Sequence, residues 1–237
     1  VAIVTAFATG LGALPLLITR TIGRRWLSAA NAMAAGLMLA ASIALVIEGI
    51  GLHPMRLVGG LLLGLGGILL GERLVAHHGA VEIAELSGLD ARKALLVVGI
   101  MTAHSFAEGI GVGVSFGGSA EFAGFISTAI AIHNIPEGLA ISLVLVPRGT
   151  PVWKAALWSI FSSLPQPLMA VPAFLFVATF AQLLPIGLGV AAGAMIWMVF
   201  AEIIPEANED ADPSHVATIV TLSLTAMLAF QYLVLRH

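Results

Sequence analysis

The sequence contains no cysteine among its 237 residues. This absence excludes disulfide bonds, thiolate metal sites, cysteine nucleophiles and cysteine-held iron–sulfur clusters. Any metal ion that the chain binds must therefore be held by nitrogen, by oxygen or by thioether sulfur.

Charged residues are scarce as well. They make up 10% of the chain, whereas 59% of its residues are apolar; soluble domains have about 25% charged residues. The formal net charge is only -3 and the charges are dispersed, which excludes nucleic acid as a partner. This composition indicates a protein that lies in the lipid bilayer.

The apolar residues predict an all-α fold, a single polytopic membrane domain built as an eight-helix bundle. One crossing takes about 20 apolar residues, so the chain has room for about eight. Because Val1 is not followed by the basic region of a signal peptide, the start is expected to be the first span. The predicted spans are 1–19, 27–50, 57–76, 94–117, 122–146, 153–182, 184–204 and 215–236.

Basic residues indicate how this bundle lies in the membrane. The loops after the first, third and fifth spans share one face, which carries 8 of the 10 lysines and arginines. These are Arg20, Arg24, Arg25, Arg73, Arg92, Lys93, Arg148 and Lys154. An excess of positive charge marks the cytoplasmic face, so both termini are expected outside and loop 77–93 inside.

Two polar segments lie on that face. Loop 77–93 contains His77 and His78, which either catch a metal ion loosely or belong to a plain solvated linker. The acidic segment 206–212 is either an ordinary surface loop or a weak exit zone for cations.

Two carboxylates lie deep inside predicted spans, where ionised side chains usually face a cavity, a partner or an ion. Glu108 follows His104 by four residues, and Glu137 follows His133 by four residues. A spacing of four puts each pair on one helix face. One such pair could simply tie two helices together by a hydrogen bond. The recurrence of the pair in the next span instead favours a four-ligand site for a transition metal. Zinc, iron, manganese and cobalt are all compatible with these ligands.

Other residues of the spans fit a polar pathway. Pro136 removes a backbone N–H and should free the carbonyl of Ile132. Two prolines flank Gln166 in the sixth span, which predicts a broken, polar-lined helix. Met38 offers a thioether but methionine more often only packs, and Glu202 is either an exit ligand or an interfacial carboxylate.

These motifs together resemble the ZIP (Zrt/Irt-like) metal transporters, near their bacterial GufA-like branch. The paired stretches HSFAEG and HNIPEG carry the likeness, with AGLMLAAS in the second span and AEIIPEA in the seventh. The segment from Thr9 to Pro15 resembles the first helix of the family.

The resemblance implies a transporter that moves zinc, and in relatives iron, manganese, cobalt or cadmium, into the cytoplasm by alternating access. It implies kinked fourth and fifth helices, a homodimer and, for the bacterial branch, an inner-membrane location. The metal is transported and is not a resident cofactor. The implied ligands are His104, Glu108, His133, Glu137 and, as a further ligand, Met38.

The chain departs from the family at a second metal site that some relatives have. The corresponding positions here are Ser105, Asn134 and Gln166, which are all neutral. Only Glu108 and Glu137 would then compensate the charge of a second ion, so a single-metal centre is expected.

Two other classes of function compete with transport. An intramembrane hydrolase or oxidase could use the same cluster, but the HExxH motif is absent and the fourth and fifth spans lack the Glu-x-x-His pattern of di-iron proteins. A metal sensor or scaffold would not need prolines and glycines around a central site. No GxxxxGK[ST] motif is present, which argues against nucleotide-driven pumping.

Overall fold

The computed structural model describes residues 1–19, 23–78, 102 and 104–235, and within this part of the chain the secondary structure is helical, without β-strands. We number the helices α1 to α11 in chain order. They are α1 (Ala2–Leu11), α2 (Pro15–Ile18), α3 (Arg24–Leu52), α4 (Pro54–His78), α5 (104–115), α6 (Ala120–Leu145), α7 (Val152–Ser162), α8 (Pro165–Thr179), α9 (Leu184–Met198), α10 (Ile204–Asn208) and α11 (Pro213–Leu235). A π-helical turn, Val199–Ile203, joins α9 to α10.

The all-α membrane fold is confirmed. Six helical segments are long and apolar enough to cross a membrane, and Ala2–Ile18 forms a shorter apolar one. Of the fourth predicted span, 94–117, the structure describes residue 102 and the residues from 104 onward. The chain is therefore an integral membrane protein, and its count of helices agrees with an eight-helix bundle.

Two spans are broken. The sixth is interrupted as its prolines predict, because α7 ends at Ser162 and α8 begins at Pro165. The first is interrupted at residues 12–14, between α1 and α2, which the sequence reading did not anticipate. Pro136, in contrast, lies inside the uninterrupted helix α6.

The predicted loop 77–93 begins slightly later than expected. Helix α4 continues through His78, so both histidines of the predicted loop belong to its last turn. The side chains of His77 and His78, and residues 79–93, lie outside the described part of the chain. The role predicted for these histidines stays a prediction.

The helices pack in two groups. We call α3, α4, α9, α10 and α11 the frame, since α9 packs on both α3 and α4, and α11 packs on α3. We call α1, α5, α6, α7 and α8 the site bundle. In it, α1 crosses α6, α7 and α8, and α5 lies against α8. The two groups meet where α3 packs on α6 and where α5 packs on α9 at Gly111 and Gly187.

Glycine permits the closest crossings of the site bundle. A Cβ atom at Gly138 of α6 would collide with the carbonyl oxygen of Thr9 in α1. A Cβ atom at Gly109 of α5 would lie 2.6 Å from the carbonyl oxygen of Gln166 in α8. Both crossings lie beside predicted site residues, so the close helix packing brings polar side chains of four helices together.

Candidate metal centre

Three predicted ligands meet between α5 and α6. Glu108, His133 and Glu137 each offer one ligand atom, and these atoms all lie within 4.8 Å of one another. Their exposed fractions are 0%, 0% and 6%. The spacing of four residues places His133 and Glu137 one helical turn apart on α6, and Glu108 faces them from α5.

His133 is held at both ring nitrogens. Its Nδ1 lies 3.1 Å from the carbonyl oxygen of Ala129, and its Nε2 lies 2.7 Å from Oε1 of Glu108. A carbonyl oxygen can only accept, so Nδ1 donates to it. One proton must then lie between Nε2 and the Glu108 carboxylate, and a metal ion bound there must displace it.

Glu137 is held less completely. Among the described residues, its buried Oε1 has no hydrogen-bond partner. A buried carboxylate oxygen without a donor is costly. A cation between Glu137, Glu108 and His133 would satisfy this oxygen, so the donor set fits a divalent metal ion.

His104, the fourth predicted ligand, is not in the group of three. It lies one turn before Glu108 on α5 and is 1% exposed. Its Nε2 lies 2.8 Å from Oε2 of Glu202 in the π-helical turn. The structure thus brings the predicted exit residue Glu202 to His104.

Met38 lies on α3, in the frame. Its side chain is fully buried within the main apolar cluster, together with Leu45, Ile126 and Met195. Its carbonyl oxygen accepts a hydrogen bond from Ser42 Oγ at 2.8 Å. Burial in an apolar cluster is the packing role that methionine most often has, and its role as a ligand stays a prediction.

The neutral residues of the predicted second site form a network of amides. Gln166 Nε2 donates to Oε2 of Glu108, the oxygen that does not face His133. The same nitrogen also donates to Asn134 Oδ1 at 3.3 Å. Asn134 Nδ2 donates to Gln166 Oε1 at 3.1 Å. Ser105, the third neutral position, is buried.

Thr5 completes this network and was missed by sequence reasoning. Its hydroxyl donates to Gln166 Oε1 at 2.8 Å, and its carbonyl oxygen accepts from Asn134 Nδ2 at 2.8 Å. One turn later, Thr9 Oγ1 lies 2.7 Å from Ser163 Oγ. Two threonines four residues apart on an otherwise apolar helix were the available signal. The hydroxyl partners Gln166 and Ser163, more than 150 residues away, were not visible from it.

The predicted acidic segment lies at the end of the frame. Glu209, Asp210 and Asp212 line an open cavity together with Arg25 and His215. Arg24 donates to Oδ1 of Asp210 at 3.1 Å, which ties the start of α3 to this segment.

Known proteins similar to this chain are named as zinc transporters. Residues 71–230 match the family model described as ZIP zinc transporter. An Arabidopsis thaliana protein named for zinc transport is 49% identical over 231 residues, which are 96% of this chain and 37% of the relative. The zinc transporter GufA of Myxococcus xanthus is 32% identical over 85% of this chain and 84% of its own length. The zinc transporter ZIPB of Bordetella bronchiseptica is 36% identical over 94% of this chain and 76% of its own length.

The chain thus spans about a third of the plant relative and most of the two bacterial ones. The family consists of transporters and not of enzymes, so these matches disfavour the intramembrane hydrolase or oxidase. The family match covers well over half of the chain, including every member of the buried Glu108, His133 and Glu137 group. The chain belongs to the ZIP zinc transporter family.

Proposed function

We propose that this protein carries divalent transition metal ions, with zinc as the main substrate, across the membrane into the cytoplasm. The ion binds between α5 and α6 at Glu108, His133 and Glu137. The observation that carries the proposal is this buried group of two carboxylates and one imidazole inside an apolar helical protein.

Charge balance explains why a cation belongs there. Helices α5 and α6 contain no lysine or arginine, so the two buried carboxylates have no fixed basic partner on their own helices. A divalent ion neutralises both. Imidazole nitrogen and carboxylate oxygen suit zinc, and they also accept iron, manganese, cobalt and cadmium, so the choice of ion is a matter for competition experiments.

We infer that the centre holds one ion. Gln166 contacts Oε2 of Glu108, the carboxylate oxygen that does not face His133. Its amide N–H donates a hydrogen bond and so presents a partial positive charge to this oxygen. The amide is neutral and is itself held by Asn134 and Thr5, so a second cation would have to break this network. Titration of the purified protein with zinc should saturate at one tightly held central ion per chain, and two equally tight central ions would contradict the proposal.

Further residues are assigned to the path of the ion. His104 and Met38 are proposed as additional ligands that engage during transport. Glu202 and the acidic segment with Glu209 and Asp210 are proposed as the exit toward the cytoplasm, and His77 and His78 as a loose binding place on the same side.

Alternating access requires the site to face first one side of the membrane and then the other. The division of the helices into a site bundle and a frame supports a mechanism in which the first carries the ion and the second stays in place. We place the protein as a homodimer in the bacterial inner membrane, with both termini outside and the loop 77–93 inside.

Uptake into proteoliposomes tests the transport proposal. Vesicles with the native chain should accumulate zinc, and those with Glu137→Gln or His133→Ala should accumulate at most a few per cent as much. Glu121→Gln is the matched control, since Glu121 lies in the first turn of the same helix and is exposed. Uptake that is unchanged by both site substitutions would overturn the site, and no uptake of zinc, cadmium, iron, manganese or cobalt by the native chain would overturn the transport function.

A further inference from the structure

The two groups of helices are each tied internally by polar contacts. Within the site bundle, Thr5 bonds to Gln166, Thr9 to Ser163 and Ser159 to the carbonyl oxygen of Gly138. Within the frame, Arg24 bonds to Asp210, and Arg56 bonds to the carbonyl oxygen of Gln182, just before α9, at 2.7 Å. These bonds would survive a rigid movement of one group against the other.

The contact between His104 and Glu202 is of a different kind, because it joins the two groups. His104 belongs to α5 in the site bundle, whereas Glu202 belongs to the π-helical turn of the frame. Their side-chain atoms Nε2 and Oε2 lie 2.8 Å apart, which is ion-pair distance without hydrogen-bond geometry, with the His104 side chain 2% exposed and the Glu202 side chain 21% exposed. A movement of the site bundle along the frame must separate them.

The backbone around Glu202 is unusual in a way that favours a mechanical role. The π-helical turn Val199–Ile203 interrupts a helical segment that runs to Asn208. Pro205 lies two residues after this turn and has no N–H to donate to the carbonyl four residues before it. Single π-helical turns occur mostly at functional places in helices. Here the turn carries the carboxylate that reaches the other helix group.

His104 cannot serve two partners with the same nitrogen. Its Nε2 can contact Glu202 or bind a metal ion, but one nitrogen cannot do both at once. Glu108 lies one helical turn away on the same face of α5, so an ion held by Glu108, His133 and Glu137 competes with Glu202 for this imidazole.

We propose that Glu202 is a positioning residue whose contact with His104 latches the site bundle to the frame in the metal-free protein. An ion at the buried centre draws His104 away from Glu202 and releases the latch. Loading of the site is thereby coupled to movement. This inference rests on the proposed alternating-access function, which it deepens by naming the contact that breaks.

Spin labels can measure the latch because the chain has no cysteine of its own. Two exposed residues at the same end of the bundle receive nitroxides: Ala120→Cys on α6 in the site bundle and Met55→Cys on α4 in the frame. Labelled thiols do not bind zinc. Double electron–electron resonance then gives the distribution of distances between the two groups in the full chain.

The parent pair should show one main distance without metal, and a second distance should grow when zinc is added. Glu202→Gln should show the second distance already without metal, raised about fivefold over the parent. Glu202→Asp keeps the charge, but its side chain is too short to span the contact. It should therefore also show the second distance without metal. Because this substitution is conservative, agreement of the two variants excludes misfolding of Glu202→Gln as the cause. Glu121→Gln, which removes an exposed carboxylate in the first turn of α6, should match the parent.

A metal-free Glu202→Gln distribution identical to that of the parent would overturn the latch, as would a parent distribution that zinc leaves unchanged. Zinc uptake by the native chain is measured separately in proteoliposomes. Failure of uptake would refute the proposed transport function, whereas normal uptake with an unaltered distribution in Glu202→Gln would refute the latch alone.

Discussion

Glu108 and His133 face each other across the interface of α5 and α6, with 2.7 Å between Oε1 and Nε2. The other nitrogen of the same imidazole is 3.1 Å from the carbonyl oxygen of Ala129. One proton therefore lies in the Glu108–His133 contact, whichever of the two groups carries it. A proton thus lies at the place where we propose that the metal ion binds.

Zinc binding should accordingly release about one proton at neutral pH, and the apparent affinity for zinc should rise with pH, by up to about tenfold per unit for one proton. Isothermal titration in buffers of different ionisation enthalpy measures the number of protons released. In His133→Ala the affinity for zinc should fall. Equal heats in all buffers for the native chain would refute the exchange.

Gly138 lies where α1 and α6 touch. The substitution Gly138→Ala should lower the free energy of unfolding by at least ~2 kcal/mol, because the new methyl group would push Thr9 and its helix away. A thermal melt of the detergent-solubilised protein measures this loss. Gly124→Ala is the matched control on the same helix, since nothing lies within 4 Å of its Cβ position. It should leave stability unchanged or raise it by up to ~1 kcal/mol. Equal melting of both variants would contradict the described crossing.

Replacement of Gln166 by glutamate should change the number of ions in the centre. The added carboxylate would lie against the oxygen of Glu108 that now accepts the amide N–H, and two adjacent carboxylates in an apolar interior need a cation between them. Gln166→Glu is expected to bind two central ions per chain, counted by elemental analysis after zinc saturation and gel filtration. Gln182→Glu, at an exposed position, should keep the native count. A native count in Gln166→Glu would show that the amide does not stand in for a second cation.

We expect Thr5 to influence the proposed ion through Gln166, so loss of its hydroxyl should weaken zinc binding without removing a ligand. Thr5→Val takes away one buried donor to Gln166 Oε1, worth about 1 kcal/mol, and should lower zinc affinity about fivefold. Thr5→Ser retains the hydroxyl and should restore native affinity. An equal loss in both variants would mean that packing of α1, and not the hydrogen bond, is responsible.

The membrane fold could be read from the sequence because it depends on local properties. Apolar length and the shortage of charge mark the spans, and the two prolines beside Gln166 mark the break between α7 and α8. The break between α1 and α2 has a comparable signal, Gly12 followed by Pro15, which sequence reasoning did not use. It lies where α1 approaches α6 at Gly12 and Gly138, and that approach depends on a helix more than 100 residues away in the chain.

The spacing of four residues treats the two histidines as equivalent, since each precedes a glutamate by one turn. In the structure they are not equivalent. His133 joins Glu108 and Glu137, whereas His104 contacts Glu202 from the π-helical turn. Which partner each imidazole meets is set by the packing of α5 between α6 and the frame, and local spacing contains no information on that.

The sequence by itself determined that the protein lies in a membrane and that its deep polar residues are histidine and glutamate, because burial of charge in hydrocarbon is too costly to be accidental. The tertiary structure alone decided which three of these side chains meet, which neutral side chains surround them and which contact joins the site bundle to the frame. The physical reason is distance along the chain. Gln166 and Thr5 are 161 residues apart, and only the close crossings of α1, α6 and α8 bring such residues into hydrogen-bonding range.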